Sequence, residues 1–176
     1  MARKKNNKNK NYTPYYIWGL HASIAALKNE NRNIKNIFCT QLVFDKYIND
    51  KVKITNAIRI VKINDLNALL ENKTTHQGII IETKPLNYPR FDDAINGNSI
   101  MMALDQVTDP QNVGAIIRSF NFFGGENLLI TKDNSAEING SLAKSASGAL
   151  ESVNIIKVTN LSMALKKKWK KRVLLS

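Results

Sequence analysis

The run Asp105-Gln106-Val107-Thr108-Asp109-Pro110-Gln111-Asn112-Val113-Gly114-Ala115-Ile116-Ile117-Arg118-Ser119-Phe120 gathers a guanidinium, carboxylates and carboxamides where an apolar strand gives way to a helix. Val113, Ile116, Ile117 and Phe120 recur at helical spacing and mark a face that packs on a sheet. Arg118 lies off that face. Gly114, one turn earlier on the side of Arg118, leaves room for another backbone or for a ligand. Asn112 stands at the predicted helix start, where free N–H groups favour an anion, and Gln111 precedes it. Ligands of open α/β sheets sit outside the carboxyl ends of the strands, which is where this loop falls. Spacing alone leaves a second reading open, in which Asn112 caps the helix and Arg118 is a solvated surface arginine.

The elements that must position these groups alternate between strand and helix. Tyr16–Trp18 reads as a strand, and Leu20, Ile24 and Leu27 mark a helix face. Asn36–Cys39 is a strand, 41–50 a helix with Val43 and Tyr47 on one side, and Ala57–Ile63 a strand. Asn64 is the expected N-cap of a helix carrying Leu66, Leu69 and Leu70, and Ile79–Ile81 is a further strand. Residues 15–83 thus predict a small α/β domain, and Lys84–Ser99, with Pro85, Pro89 and Gly97, a linker at 84–98. A second unit, 99–176, follows with strands at Ile100–Leu104, Leu128–Thr131 and Val153–Val158. Its helices are expected at Asn112–Phe123, Ile138–Ser147 and 160–171. Strands alternating with helices imply a parallel sheet.

The net charge of +12 sits mostly at two places. Residues 1–10 hold five cations and residues 166–172 hold six, with no acid in either stretch, so the remaining 15 basic and 14 acidic residues nearly balance. Residues 1–14 are expected to form a disordered basic arm able to add sequence-independent phosphate contacts. The single cysteine, Cys39, excludes an internal disulfide and reads as a small buried hydrophobe. The longest apolar runs are strand-sized, so no membrane span is expected, and a cytoplasmic location fits.

The stretch Asp109-Pro110-Gln111-Asn112-Val113-Gly114-Ala115-Ile116-Ile117-Arg118-Ser119 resembles the first signature motif of the SpoU/TrmH branch of the SPOUT RNA ribose 2′-O-methyltransferases. Trp18-Gly19-Leu20-His21-Ala22 resembles the opening of that family's substrate-binding domain, which has a ribosomal-protein-like (L30e/L7Ae) fold. Thr75-His76-Gln77-Gly78-Ile79 resembles its close, and Lys144-Ser145-Ala146-Ser147-Gly148-Ala149-Leu150-Glu151 a segment after a catalytic-domain helix, where small residues permit close packing. The resemblance covers roughly residues 15–165, and its two-domain layout is most similar to bacterial 23S ribosomal RNA guanosine-2′-O-methyltransferases.

The resemblance implies S-adenosyl-L-methionine as methyl donor, ribosomal RNA as partner, no metal, and a homodimer. It assigns catalysis to Arg118 and Asn112 and substrate binding to Gly114, Gln111, His76 and Gln77. Because His76 lies outside the methyl-transfer half, a structural turn or an RNA contact is expected of it rather than catalysis. The family builds its donor pocket in a trefoil knot from a Gly-Ser-Glu-Gly-type and a Leu-Asn-Val-Ser-type motif, and neither is present. After Leu165 the resemblance is expected to stop abruptly, as a changed reading frame or early stop would cause. The sequence therefore predicts an incomplete SPOUT (α/β knot) domain without cofactor-binding residues, inactive alone and neither binding donor nor dimerising. The alternative is a non-catalytic RNA-binding fragment or a pseudogene product.

Overall fold

The computed structural model describes residues 14–49, 57–70, 74–95 and 99–174. The basic arm lies almost wholly outside them. Two sheets organise the chain. The first is four-stranded, in the order β1 (Tyr15–Trp18), β4 (Ile79–Thr83), β2 (Ile34–Cys39), β3 (Ala57–Ile60). Only β2 and β3 run parallel; β4 is antiparallel to both β1 and β2. The continuous apolar run Ile79-Ile80-Ile81 fits a central strand covered on both faces, and all three residues are fully buried.

Helix α1 (Leu20–Lys28) differs from its expected face. Leu20, Ile24 and Leu27 are only partly buried, whereas Ala22, Ser23 and Ala26 are closed off. The helix is held between its own sheet and the second unit, so small side chains set its closest approaches. Thr40 starts the next helix by accepting from the Val43 N–H at 3.4 Å; α2 (Gln41–Val43) then widens into a π-type turn over Phe44–Ile48. Strand β3 ends at Ile60, not Ile63, because Lys62 takes the N-cap position of α3 (Ile63–Leu69) and donates its N–H to the Asp65 carboxylate at 3.0 Å. Asn64 is thus inside the helix rather than its cap.

The second sheet is parallel throughout, in the order β5 (Ile100–Leu104), β6 (Gly125–Thr131), β7 (Asn154–Val158). Helices α5 (Pro110–Phe122) and α6 (Gly140–Ser145) lie on the face turned toward the first sheet. Along β6, Leu128 and Ile130 join that shared core while Leu129 joins a smaller cluster on the other face, as strand alternation requires. The smaller cluster is covered by α7 (Leu161–Leu174) and by α4 (Phe91–Ala94). A helical turn therefore stands inside the stretch expected to be a plain linker: Phe91 and Ala94 find an apolar sheet face within reach. Lys167 pairs with Asp92, and Lys168 donates to the Ile95 carbonyl, tying α7 to that turn.

One core runs through both units. Ile17, Ile37 and Ile81 of the first sheet belong to the same buried cluster as Val113, Ile117, Phe120, Leu128 and Leu142 of the second. Each such side chain contributes about 1.5–3 kcal/mol on burial. Cys39 is among them, and burial pushes its thiol up to about 11, which keeps it protonated and inert.

Candidate RNA site at the head of helix α5

The loop leaving β5 is held in a specific shape. Gln106 sits at φ +54°, a left-handed conformation unusual for a residue with a side chain. The Val107 carbonyl accepts from the Ala136 N–H at 3.1 Å, pinning this loop to the one after β6. Helix α5 then starts earlier than expected, at Pro110, with Asp109 as N-cap. The Asp109 carboxylate accepts from the N–H groups of Gln111 (3.1 Å) and Asn112 (3.2 Å). The reading of Asn112 as an anion-binding helix start is corrected accordingly: those amides already have a carboxylate on them, and Asn112 is the third residue of the helix rather than its start. Asp followed by Pro, the N-cap and N1 preferences in succession, was the signal in the sequence.

The side chains of Gln111, Asn112 and Arg118 are exposed. Arg118 makes no hydrogen bond or ion pair among the described residues. Gln111 and Arg118 are seven residues apart and so share one stripe of the helix, and helical side chains lean toward the N-terminus.

Gly114, between them, faces protein. A Cβ there would stand 2.6 Å from Ser145 Cβ and 2.7 Å from the Leu142 carbonyl oxygen. Of the two uses open to this glycine, the geometry chooses the close approach of another backbone. The same α6 is tied to the head of α5 by Ser145, whose hydroxyl donates to the Gln111 carbonyl at 2.8 Å.

The next residue back, Lys144, faces the other way. Its stem lies on Gly19 so closely that a Cβ on that glycine would stand 3.0 Å from Lys144 Cγ and 3.4 Å from Gln77 Oε1. Gln77 and Gly78 both have positive φ, as the central residues of a type I′ turn do. The Gln77 side chain accepts from the Leu20 N–H at 2.9 Å and so caps α1, whose own N-cap is a glycine. His76 is buried. Its Nδ1 accepts from the Gly78 N–H at 3.0 Å, which places the neutral ring's proton on Nε2, 3.0 Å from Asn67 Oδ1. Both ring nitrogens are engaged within the domain, so His76 shapes the turn and is not placed to touch a ligand. Burial and the nearby Lys144 charge hold its pKa below the usual histidine value. Helix α6 thus joins the two signature segments through Lys144 and Ser145.

The chain also matches known families along both units. Residues 16–89 match the RNA 2′-O ribose methyltransferase substrate binding family, and residues 99–175 the SpoU rRNA Methylase family. The chain belongs to the SpoU rRNA methylase family. Its SpoU match continues to residue 175, which corrects the expectation of an abrupt end after Leu165. The 23S rRNA (guanosine-2′-O-)-methyltransferase RlmB of Ralstonia nicotianae is 34% identical over 155 residues, covering 84% of this chain and 62% of that protein. The protein of the same name from Salmonella typhimurium is 32% identical over 158 residues, with 85% and 65% covered. This SpoU chain therefore spans a little under two thirds of the length of these relatives. In fold it is similar to the SpoU methyltransferase AviRb from Streptomyces viridochromogenes in complex with AdoMet, with a TM-score of 0.68, 15% identity, and 97% of this chain and 64% of that one covered. It is also similar to a TrmH-family RNA methyltransferase from Porphyromonas gingivalis, with a TM-score of 0.64, 17% identity, and 90% and 59% covered.

Proposed function

We propose that this chain provides the RNA-recognition unit and the motif-bearing start of the catalytic unit of a cytoplasmic S-adenosylmethionine-dependent ribose 2′-O-methyltransferase, acting on 23S ribosomal RNA. The observation that carries the reading is the tandem match of substrate-binding and SpoU models to two units that share one core. A ribose hydroxyl is a poor nucleophile, so its proton must be drawn off as the methyl arrives. A guanidinium, with a pKa above about 12, is a poor base. Arg118 instead holds the phosphate beside the target ribose and polarises the sugar. Asn112, exposed on the first turn of α5, orients the substrate by hydrogen bonds, with Gln111 beside it. The family's homodimer belongs to the same reading, checked by sedimentation.

An apolar groove runs beside the C-terminal half of α5, and the donor does not fit it. That groove, about 600 Å³ between the open edge of β5 and α5, is lined by Ile100, Met102, Ile116, Phe120 and Phe123, with the Ser119 hydroxyl its main polar feature. S-adenosylmethionine carries a carboxylate, an ammonium, a sulfonium and ribose hydroxyls, which need charged or hydrogen-bonding partners. The same observation favours a second reading, in which this stretch binds RNA without catalysis. Titration calorimetry with S-adenosylmethionine, together with methyl transfer to 23S rRNA transcripts, separates the two. Saturable donor binding and transfer support the enzyme; RNA binding without either supports the second reading.

A further inference from the structure

We propose that Lys144 holds a phosphate of the RNA where the strand passes from the His76–Ile79 turn of the first unit to the head of α5 in the second. The inference deepens the RNA-methyltransferase reading and rests on it. Lys144 lies on α6, between the Gly19–Gln77 contact and the Ser145–Gln111 hydrogen bond. Its ammonium forms no hydrogen bond or ion pair among the described residues, so its charge is not cancelled by a contacting carboxylate. Its presence is nevertheless felt at His76, whose protonation it opposes.

Two features make this more than a solvated lysine. The stem is seated on Gly19, which stands at φ +90° and has no side chain to obstruct it. Much of the rotamer entropy that a free lysine loses on binding a phosphate is therefore already lost in the fold. The seat also holds the stem where α6, the helix that packs on α5, meets Gly19 and Gln77 of the first unit. A phosphate there would have a charge-assisted donor and would set the register of the strand against Arg118 and Asn112.

Lys144→Met keeps the apolar stem and removes the charge; Lys144→Arg keeps the charge. With the whole chain and an in vitro transcribed 23S rRNA as probe, filter binding over a roughly fourfold range of salt measures affinity and salt slope. The Met variant is expected to bind about tenfold more weakly with a slope shallower by about 0.7–0.9, while the Arg variant stays near wild type. NMR titration of the RNA-free protein should show the His76 pKa rising in Lys144→Met and staying at its wild-type value in Lys144→Arg, which keeps the charge; loosened packing, which also raises it by relieving burial, would not follow the charge in this way. An unmoved His76 would mean the ammonium is not where the fold puts it, overturning the inference. Wild-type-like affinity and slope in the Met variant would overturn it alone. A wild-type chain without salt-dependent RNA binding would overturn it together with the reading beneath it.

Discussion

Arg32 and Glu151 meet across the boundary between the two units, with Arg32 Nη2 2.7 Å from Glu151 Oε1 and both side chains almost wholly buried. Arg32 Nε also donates to the same carboxylate, Asn29 Nδ2 donates to its other oxygen at 2.7 Å, and Arg32 Nη1 donates to the Lys84 carbonyl. The pair joins the loop before β2 to the turn before β7, so it ties the first unit to the second. Glu151→Ala leaves a buried guanidinium without its partner and is expected to lower stability by about 3–5 kcal/mol. Urea unfolding monitored by tryptophan fluorescence checks this; a loss below about 1 kcal/mol would show the pair to be water-accessible in solution.

Gly114→Ala provides a test of sign. In an open helix the change stabilises by about 1 kcal/mol. Here the new methyl would meet Ser145 and the Leu142 carbonyl, so a net loss of about 1–3 kcal/mol is expected from overpacking. Thermal unfolding decides it. A stabilised variant would return Gly114 to the role of making room for a ligand.

Asp109→Ala removes the cap of α5 and should cost about 0.5–2 kcal/mol. It also uncovers the amides of Gln111 and Asn112, so phosphate or sulfate should stabilise this variant more than wild type. Melting in matched ionic strength with and without sulfate reads the difference; equal responses would count against Asp109 as the group covering those amides.

The pKa of His76 is depressed in the fold by burial first and Lys144 second. The unfolded chain therefore binds the proton more readily, and stability falls as pH drops through the ordinary histidine value of 6.5 toward the lower folded value. Above 6.5 this contribution is constant. Urea midpoints taken from pH 8 downward should show the decline, and His76→Asn should flatten it. The same slope in that variant would place the titration elsewhere.

Arg118→Ala should leave unfolding unchanged within about 0.5 kcal/mol, since the side chain is exposed and without a partner among the described residues. In a protein in which this sequence is completed with the C-terminal part of the Ralstonia relative, the same change is expected to abolish methyl transfer to 23S rRNA while donor binding persists. Near-wild-type turnover would make Arg118 a solvated surface residue.

The alternation of strand and helix, the parallel second sheet and the motif at Asp109–Ser119 were legible from the residues alone. The first two depend on a local signal, apolar periodicity, and the third on the residues of the motif themselves. The first sheet's mixed order was not legible, because which strands pair depends on non-local contacts that periodicity does not encode. For Gly114 and His76 the residues left two roles open, another backbone or a ligand for the first and a structural turn or an RNA contact for the second, and the capping role of Gln77 was not legible. All three stand in motif segments, but Gly114 is closed off by α6, His76 is held by Gly78 and Asn67, and Gln77 caps α1. Lys144 shows the reverse case, a residue in a small-residue stretch placed by the fold beside both signature turns. The sequence by itself determined the residue types able to hold an anion or a hydrogen-bonding ligand and the elements that carry them. Only the tertiary structure decided which of those side chains remain free, because their donors and acceptors are satisfied by partners up to 57 positions away in the chain.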